Sequence, residues 1–395
     1  MEKRKIAIIG GGISGLSAGI TLLQKGNEDI EVKMFEARQK GREKICGGLL
    51  TRHAYRILVD LLDNGNIENA QNMQKCIMSH IDRVNIYENY KKVLEWQMPE
   101  DKDILICDRQ KVDLALTEKF IELGGNYTDH KRIDFNEMIE LSKTNEMVFV
   151  ASGVDKGDEQ KDCGFGIEYT MAKGDVNKDT KIYWEERKPI IEIHFGVIKN
   201  GYGWVFPYGE DKVRIGLASF NKNCENEVAK KVEEFVEKIK RYNEFETDKR
   251  GAFIPREFNK TLCKYTHLEP KADDIIAFIG DRTGIIDYIT GEGNYFGLEM
   301  GKSLAEIVRD KNYKPSIMKE RFKNCIDIAR SSKNFSKWFY KDWFRKLLWK
   351  LAILKSKADE GFIWKMYDEL INRKVHTYDL VGLSRALREV NNRVE

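Results

Sequence analysis

Proline is scarce in this 395-residue chain, with 6 in all. No apolar run reaches the roughly 18 residues that a bilayer-spanning helix needs, which excludes an integral membrane segment of that kind. The few prolines accompany an abundance of Lys, Glu, Ile and Asn, a compositional bias and not a mark of disorder. Apolar residues make up an ordinary 42%. Seven cysteines lie scattered without CxxC spacing, which argues against a disulfide framework or a zinc site and for reduced thiols. The 6 histidines show no metal-ligand spacing, so no metal is expected. Charge of either sign is not in excess: 67 Lys+Arg against 64 Asp+Glu leave +3, too even to suggest a nucleic-acid partner. Internal repeats and low-complexity linkers are also missing. Met1–Lys5 runs straight into Ile6-Ala7-Ile8-Ile9 with no room for a secretory leader, so a cytoplasmic protein is expected.

What is present begins at once. Lys5–Ile9 reads as a buried parallel strand. The turn Gly10-Gly11-Gly12-Ile13-Ser14-Gly15 follows, then a helix over Leu16–Gln24 and a second strand over Ile30–Phe35. Glu36 and Ala37 close that strand. This βαβ unit has the physics of a dinucleotide site. Gly10 permits a tight turn, Gly12 lets the backbone approach a pyrophosphate, and Gly15 allows close helix–strand packing. The helix N-terminus, opened by Ile13 and Ser14, faces the anion, and Glu36 can accept from ribose hydroxyls. A glycine-rich turn without a ligand would not need strand, turn, helix, strand and acid all in place.

Further along, the spacing predicts helices over Thr51–Asn64 and Lys111–Leu123, the latter stopped by Gly124-Gly125. Strands are expected over Ile81–Glu88, Leu94–Gln97 and Glu146–Val150, the last leading to Ala151-Ser152-Gly153. From Ile167 to Ser219 strand patterns dominate, notably Ile190–Phe195, Trp204–Pro207 and Val213–Ala218. A helix follows over Val228–Arg241. The expected fold class is α/β: a Rossmann-type FAD-binding domain with an inserted, mostly antiparallel β-sheet substrate domain and a helical C-terminal tail. The cofactor domain would comprise 1–55, 100–160 and 268–312, the substrate domain 56–99 and 161–267, and the tail 313–395.

A second site favours FAD over NAD. Ile275–Ile279 ends in Gly280-Asp281, a carboxylate placed for ribitol hydroxyls. Thr290-Gly291-Glu292-Gly293-Asn294 then opens a helix over Tyr295–Arg309 whose free N–H groups can face the flavin N1/C2=O edge. A surface loop with a capped helix is the bland reading.

Here a family resemblance enters. Gly280-Asp281-Arg282-Thr283-Gly284 through Thr290-Gly291-Glu292-Gly293 resembles the GDAAG…TGEG segment of the geranylgeranyl reductase family. Lys44-Ile45-Cys46-Gly47-Gly48 resembles its K-x-CGG motif, Tyr202-Gly203-Trp204-Val205-Phe206-Pro207 with Gly216 its Y-x-W-x-FP…G motif, and Asp108-Arg109 with Asp113 its DR…D segment. The matches run in the family's order to about residue 310. The resemblance implies FAD, a p-hydroxybenzoate-hydroxylase-like fold, and saturation of isoprenoid C=C bonds by hydride from reduced flavin. It implies that Lys44, Gly47, Gly48, Arg109, Gly153, Asp281, Gly291, Gly293 and Asn294 contact the cofactor, with Cys46, Gly293 and Asn294 serving the chemistry. Tyr202, Trp204, Phe206 and Pro207 would meet an apolar or lipid substrate.

Alternatives stay open at several of these positions. Cys46 reads as a proton donor or as a small buried hydrophobe. The strand aromatics read as a substrate wall or as sheet core. Arg282-Thr283 and Tyr288 depart from the family pattern, and Arg282 reads as a partner for a substrate anion or as a solvent-facing charge. His53 is a weaker proton-source candidate. Phe335, Phe339, Trp343, Leu347 and Leu351 recur at i+4 as one helix stripe, with Lys337, Lys341 and Arg345 nearly opposite. That helix either packs its stripe on the protein or rests peripherally on an anionic bilayer. The rival functions are a flavin-dependent monooxygenase or halogenase-like enzyme and a non-catalytic flavin-binding protein; a W-x-W-x-x-I-P halogenase segment is missing. The electron donor would be NAD(P)H or a ferredoxin-like reductant.

Overall fold

The computed structural model describes residues 3–24, 29–42, 44–97, 104–154, 163–172, 189–210, 212–239, 248–256, 275–311 and 320–358. The expected domain boundaries near 98–103, 155–162, 257–274 and 312–319, and the tail from 359 to 395, lie outside the described residues.

A five-stranded parallel sheet carries the N-terminal half of the site. Arg4–Ile9 lies at its centre, flanked by Ile30–Phe35 and Met147–Val150, with Asn126–Thr128 and Ile275–Phe278 at the edges. Ile6, Ile8, Val32, Met34, Val148 and Phe149 are buried, the continuous apolar burial that central strands covered on both faces require. The helix Ile13–Leu23 packs on the helix Asn294–Arg309 closely enough for Ser17 Oγ to donate to the Leu298 carbonyl at 2.8 Å. The arrangement is that of a Rossmann-like domain.

A seven-stranded sheet is drawn from residues between Arg83 and Pro255. Its order is Asp248–Pro255, Cys163–Ala172, Lys212–Ser219, Gly201–Tyr208, Ile190–Phe195, Arg83–Glu88, Lys91–Gln97. Pairing is antiparallel except between Ile190–Phe195 and Arg83–Glu88. Alternation assigns the two faces. Ile167, Val205, Ile215 and Leu217 pack under the amphipathic helix Glu225–Ile239 through its Val228, Val232 and Phe235. The intervening side chains, Glu168, Trp204 and Phe206 among them, face the cavity described below.

Two expectations are corrected. Ile81–Glu88 is not one strand: Ile77–Ile81 pairs in a small sheet with Ile104–Cys107, which also holds Leu49–Leu50, while Arg83–Glu88 joins the seven-stranded sheet. A two-residue period does not reveal which sheet takes a strand's hydrogen bonds. The tail stripe is also broken. Helices Lys323–Phe339 and Asp342–Ala358 meet at Tyr340-Lys341, whose N–H groups donate back to the Ser336 and Trp338 carbonyls. Phe335 and Phe339 are buried, whereas Trp343 and Leu347 are 58% and 45% exposed. Arg345 is no surface cation: it is 2% exposed and bidentate on Glu88, at 3.0 and 2.9 Å.

Candidate functional site

The parallel sheet, the seven-stranded sheet and the C-terminal helix pair enclose one cavity of about 1570 Å³. That exceeds the roughly 300–1,000 Å³ of a typical single-ligand pocket, so it has room for two molecules.

One end is made of backbone. Gly10 has φ +111°, and a Cβ there would stand 2.3 Å from the Ala151 carbonyl oxygen, so only glycine lets the first turn lie against the strand ending at Val150. Gly12 caps the first helix without any side-chain hydrogen bond, and nothing lies within 4 Å of where its Cβ would be. The first-turn N–H groups therefore face open space in the cavity, as an anion site requires. Glu36, 5% exposed, accepts from Gly11 N at 2.8 Å and Arg38 N at 3.0 Å, and Arg42 Nε stands 3.3 Å from it. Its carboxylate is thus aimed beside the turn.

A polar chain crosses the middle. Arg109, 2% exposed at the start of the helix Arg109–Glu122, donates to Asp113 Oδ1 at 2.8 Å and to Asn294 Oδ1 at 2.5 Å. Burial, the largest single influence, lowers the guanidinium pKa, but the charge and hydrogen bond of Asp113 together with the neighbouring Cys46 and Cys107 more than offset it, and the net displacement is upward. Asn294 in turn places Nδ2 3.7 Å from Cys46 Sγ. Gly293 caps its helix with no side-chain bond, giving a second helix N-terminus turned to the cavity. Lys44 Nζ pairs with Asp281 Oδ2 at 3.5 Å beside it.

The other end is made of side chains. Trp204, Gly216 and Glu168 stand side by side across three strands. A Cβ on Gly216 would lie 2.1 Å from the Trp204 ring, so the indole lies over the glycine and its Nε1 reaches Glu168 Oε2 at 3.1 Å. Arg214, 4% exposed, stacks 3.7 Å over the Tyr208 ring, pairs with Glu168 at 3.7 Å, and donates to the Cys46 carbonyl at 2.8 Å. Phe206 packs against Gly47. Tyr202 donates to the Thr290 carbonyl, and burial first, then Asp287, pushes its phenol pKa up. Beyond it Phe195, Phe339 and Trp349 close the apolar end.

The structure thus gathers Gly10, Gly12, Ile13, Ser14, Glu36, Ala37, Lys44, Cys46, Gly47, Gly48, Arg109, Gly153, Tyr202, Trp204, Phe206, Asp281, Gly291, Gly293 and Asn294 on one cavity. Gly15 does not line it; its place is under the Gly10 carbonyl, where a Cβ would come within 2.1 Å. Pro207 is a correction: it alternates to the strand face opposite Phe206 and does not line the cavity. His53 packs on the Tyr295 ring, away from the lining. Sequence reasoning missed Glu168 and Arg214. The available signal was a charge in the interior of each of two apolar strands, Glu168 in Cys163–Ala172 and Arg214 two residues past the terminal Lys212 in Lys212–Ser219.

No family model matches the chain. The motif resemblance to geranylgeranyl reductases nevertheless extends over nearly its whole length. The chloroplastic geranylgeranyl diphosphate reductase of Arabidopsis thaliana is 23% identical over 417 residues, covering 94% of this chain and 79% of the relative. A geranylgeranyl bacteriochlorophyll reductase-like protein of Thermoplasma acidophilum superposes with a TM-score of 0.62 at 18% identity, covering 88% of this chain and 91% of its own. A flavin-dependent brominase triple mutant gives the same TM-score of 0.62 at 15% identity, covering 98% and 99%. The structural likenesses establish the mixed α/β fold of flavin-dependent oxidoreductases, one that both reductases and a halogenating enzyme use.

Proposed function

We propose that the chain is an FAD-dependent oxidoreductase that reduces C=C bonds of an apolar, isoprenoid-like substrate. The observation that carries this reading is a single cavity with two unlike ends, one of backbone donors and one of aromatic side chains, joined at Cys46. The Gly10–Gly15 turn and Glu36 would hold the adenosine diphosphate half of FAD. Asp281, Gly291, Gly293, Asn294 and Arg109 would hold the ribityl-flavin half. The seven-stranded sheet, five of whose strands lie between Val150 and Ile275 in the chain and two between Arg83 and Gln97, would act as the substrate-binding insertion. Bound there and reduced, FAD would supply the hydride for one alkene carbon, and an external nicotinamide or ferredoxin-like donor would return two electrons, with solvent protons restoring the flavin and the Cys46 thiol.

The remaining work falls to the chain itself. Trp204, Phe206 and Phe195 exclude water from the apolar end. The Cys46 thiol, beside Asn294, is the candidate proton donor to the neighbouring alkene carbon. Arg109 and Asp113 fix Asn294, and Arg214 fixes the Cys46 backbone, so these are positioning residues. Tyr202 stays protonated but is committed to the Thr290 carbonyl, which makes it a clasp on the loop.

The test is spectroscopic. Purified protein should carry a flavin spectrum, bleach on anaerobic photoreduction, and recover when mixed with a polyprenyl lipid in detergent without oxygen. Oxygen-dependent formation of a hydroxylated or halogenated product would favour a monooxygenase or halogenase, since oxygen alone reoxidises reduced flavin, and indifference to every alkene would reject the reductase. Cys46→Ala should retain flavin and lose turnover by about 10²-fold; an unchanged rate removes the thiol from the chemistry.

A further inference from the structure

Six large hydrophobic side chains are well exposed among the described residues: Ile67, Ile121, Phe135, Trp338, Trp343 and Leu347. The last three lie together on the C-terminal helix pair. The Trp338 and Trp343 rings meet edge-on at 6.5 Å, and Lys341 Nζ sits 4.3 Å over the Trp338 ring. On the final helix the 3.6-residue period puts Trp343, Lys346, Leu347 and Lys350 on one side, and all four are exposed. Lys337 and Lys341 extend the same surface at the joint, exposed as well. Between Lys337 and Lys350 the sole acid is Asp342, which Arg345 holds at 2.5 Å.

We infer that this outer face docks on an anionic phospholipid bilayer. Trp338, Trp343 and Leu347 would enter the interface, where indoles favour the boundary between apolar and wet regions, and Lys337, Lys341, Lys346 and Lys350 would meet lipid phosphates. Charge selects this occupant. A second copy of the chain would bring four lysines against four lysines, and three partly exposed side chains supply on the order of 300 Å², well under the roughly 800 Å² per partner of a stable protein interface. An anionic surface instead adds an attraction for each cation.

The opposite side of the same two helices gives the idea its functional weight. Phe335, Phe339, Leu348 and Trp349 line the apolar end of the cavity. The pair is therefore a partition one helix thick, about 10 Å, between that cavity and the surface that carries the tryptophans. No helix among the described residues is long and apolar enough to cross a membrane, so a lipid substrate would be met at the surface of the bilayer. Delivery of substrate through this partition rests on the reductase reading; docking itself does not.

The experiment is flotation of the full-length protein, without substrate, on vesicles of phosphatidylcholine alone and of phosphatidylcholine with phosphatidylglycerol. The chain should float with the anionic vesicles, stay behind with the neutral ones, and be released by about 0.5 M salt. Lys346→Gln with Lys350→Gln should lower partition about thirtyfold, and Trp338→Ser with Trp343→Ser should abolish it. Ile67→Ser, which removes an exposed apolar group elsewhere, should change nothing. Thermal melts of the lysine variants should match wild type, and the tryptophan variant, whose indoles are 40% and 58% exposed, should melt somewhat lower but stay fully folded at the assay temperature. Failure to float on anionic vesicles at low salt, or floating that the tryptophan and lysine variants leave intact, overturns the inference. Concentration-dependent self-association lost in the tryptophan variant would give the face to a second copy and overturn it equally. Because neither alkene nor flavin reduction enters the assay, its failure leaves the reductase reading standing, and failed reoxidation in detergent leaves docking standing.

Discussion

The two ends of the cavity are built by opposite means. At the glycine turn the chain presents its own N–H groups, with the Glu36 carboxylate beside them. At the far end the backbone is consumed in the seven-stranded sheet, and a ligand is offered side chains: rings, aliphatic groups such as Ile191, Ile193 and Leu348, and the buried Glu168. Backbone donors at a helix N-terminus suit any phosphate-bearing dinucleotide. Aromatic walls have a shape, and shape discriminates. Substrate identity therefore resides in the second end, and cofactor class in the first.

The sharpest way to break that comparison is at the junction. Arg109→Leu removes the cation paired with Asp113 among the described residues, leaves that 6% exposed carboxylate buried, and frees Asn294 beside Cys46. Stranding one member of a buried pair costs about 3–5 kcal/mol, to be read from urea unfolding. Both flavin content and alkene turnover should fall; loss of one alone would mean the ends do not share this support. Glu88→Ala ranks next. Arg345 would keep Asp342 and the Phe339 carbonyl, at 2.5 and 3.3 Å, so the loss should be nearer about 2–3 kcal/mol. Trp349 Nε1 would lose its acceptor at the same time. This change should loosen the C-terminal helices and open the apolar end while bound flavin is kept, which would show as faster limited proteolysis after residue 320 with an unaltered flavin spectrum.

The same contrast explains what the sequence disclosed. The glycine turn, Glu36, Asp281 and the Thr290–Asn294 run are local patterns, because backbone sites are made by consecutive residues. Glu88 and Arg345 are 257 residues apart, and Arg214 and the Cys46 carbonyl 168 apart. Nothing in either neighbourhood marks a lone charge as half of a buried pair. The tail shows the limit of periodicity as well. Its i+4 stripe runs on through Tyr340-Lys341 with no glycine or proline to stop it, yet the helix ends there. The break is tertiary: Tyr340 donates to the Ile289 carbonyl at 2.8 Å, and Arg345 turns in to Glu88.

A smaller test sharpens the shape argument at the apolar end. Gly216→Ala would drive a methyl into the Trp204 ring and lift the indole from Glu168. Overpacking of this kind costs about 1–2 kcal/mol. Flavin binding should be untouched, since Gly216 does not line the nucleotide end, while the apparent KM for a polyprenyl substrate should rise; an unchanged KM would mean that Trp204 is sheet core and no wall.

The smallest expected effect asks whether the ends communicate. Tyr340, at the joint of the C-terminal helices, bonds the carbonyl of Ile289, which immediately precedes the Thr290–Asn294 run. Tyr340→Phe removes one buried hydrogen bond, worth about 1 kcal/mol or less at pH 8. Burial, followed by Tyr202 and Asp287, raises the phenol well above its ordinary pKa of 10.0. A phenol that prefers to stay neutral when folded stabilises fully below its unfolded pKa and loses that contribution as pH rises past 10. Replacement by Phe should therefore flatten the alkaline fall in stability, so that wild type leads at pH 8 and the lead shrinks or reverses above pH 10. If flavin affinity also weakens in this variant, the helix pair reaches the cofactor through the Ile289 carbonyl, beside the bond from Tyr288 N to Ser332 Oγ that the variant keeps. If affinity holds while stability moves as described, the coupling between the two ends runs through the contacts at Cys46 and the Tyr202–Thr290 clasp and not through the helix pair.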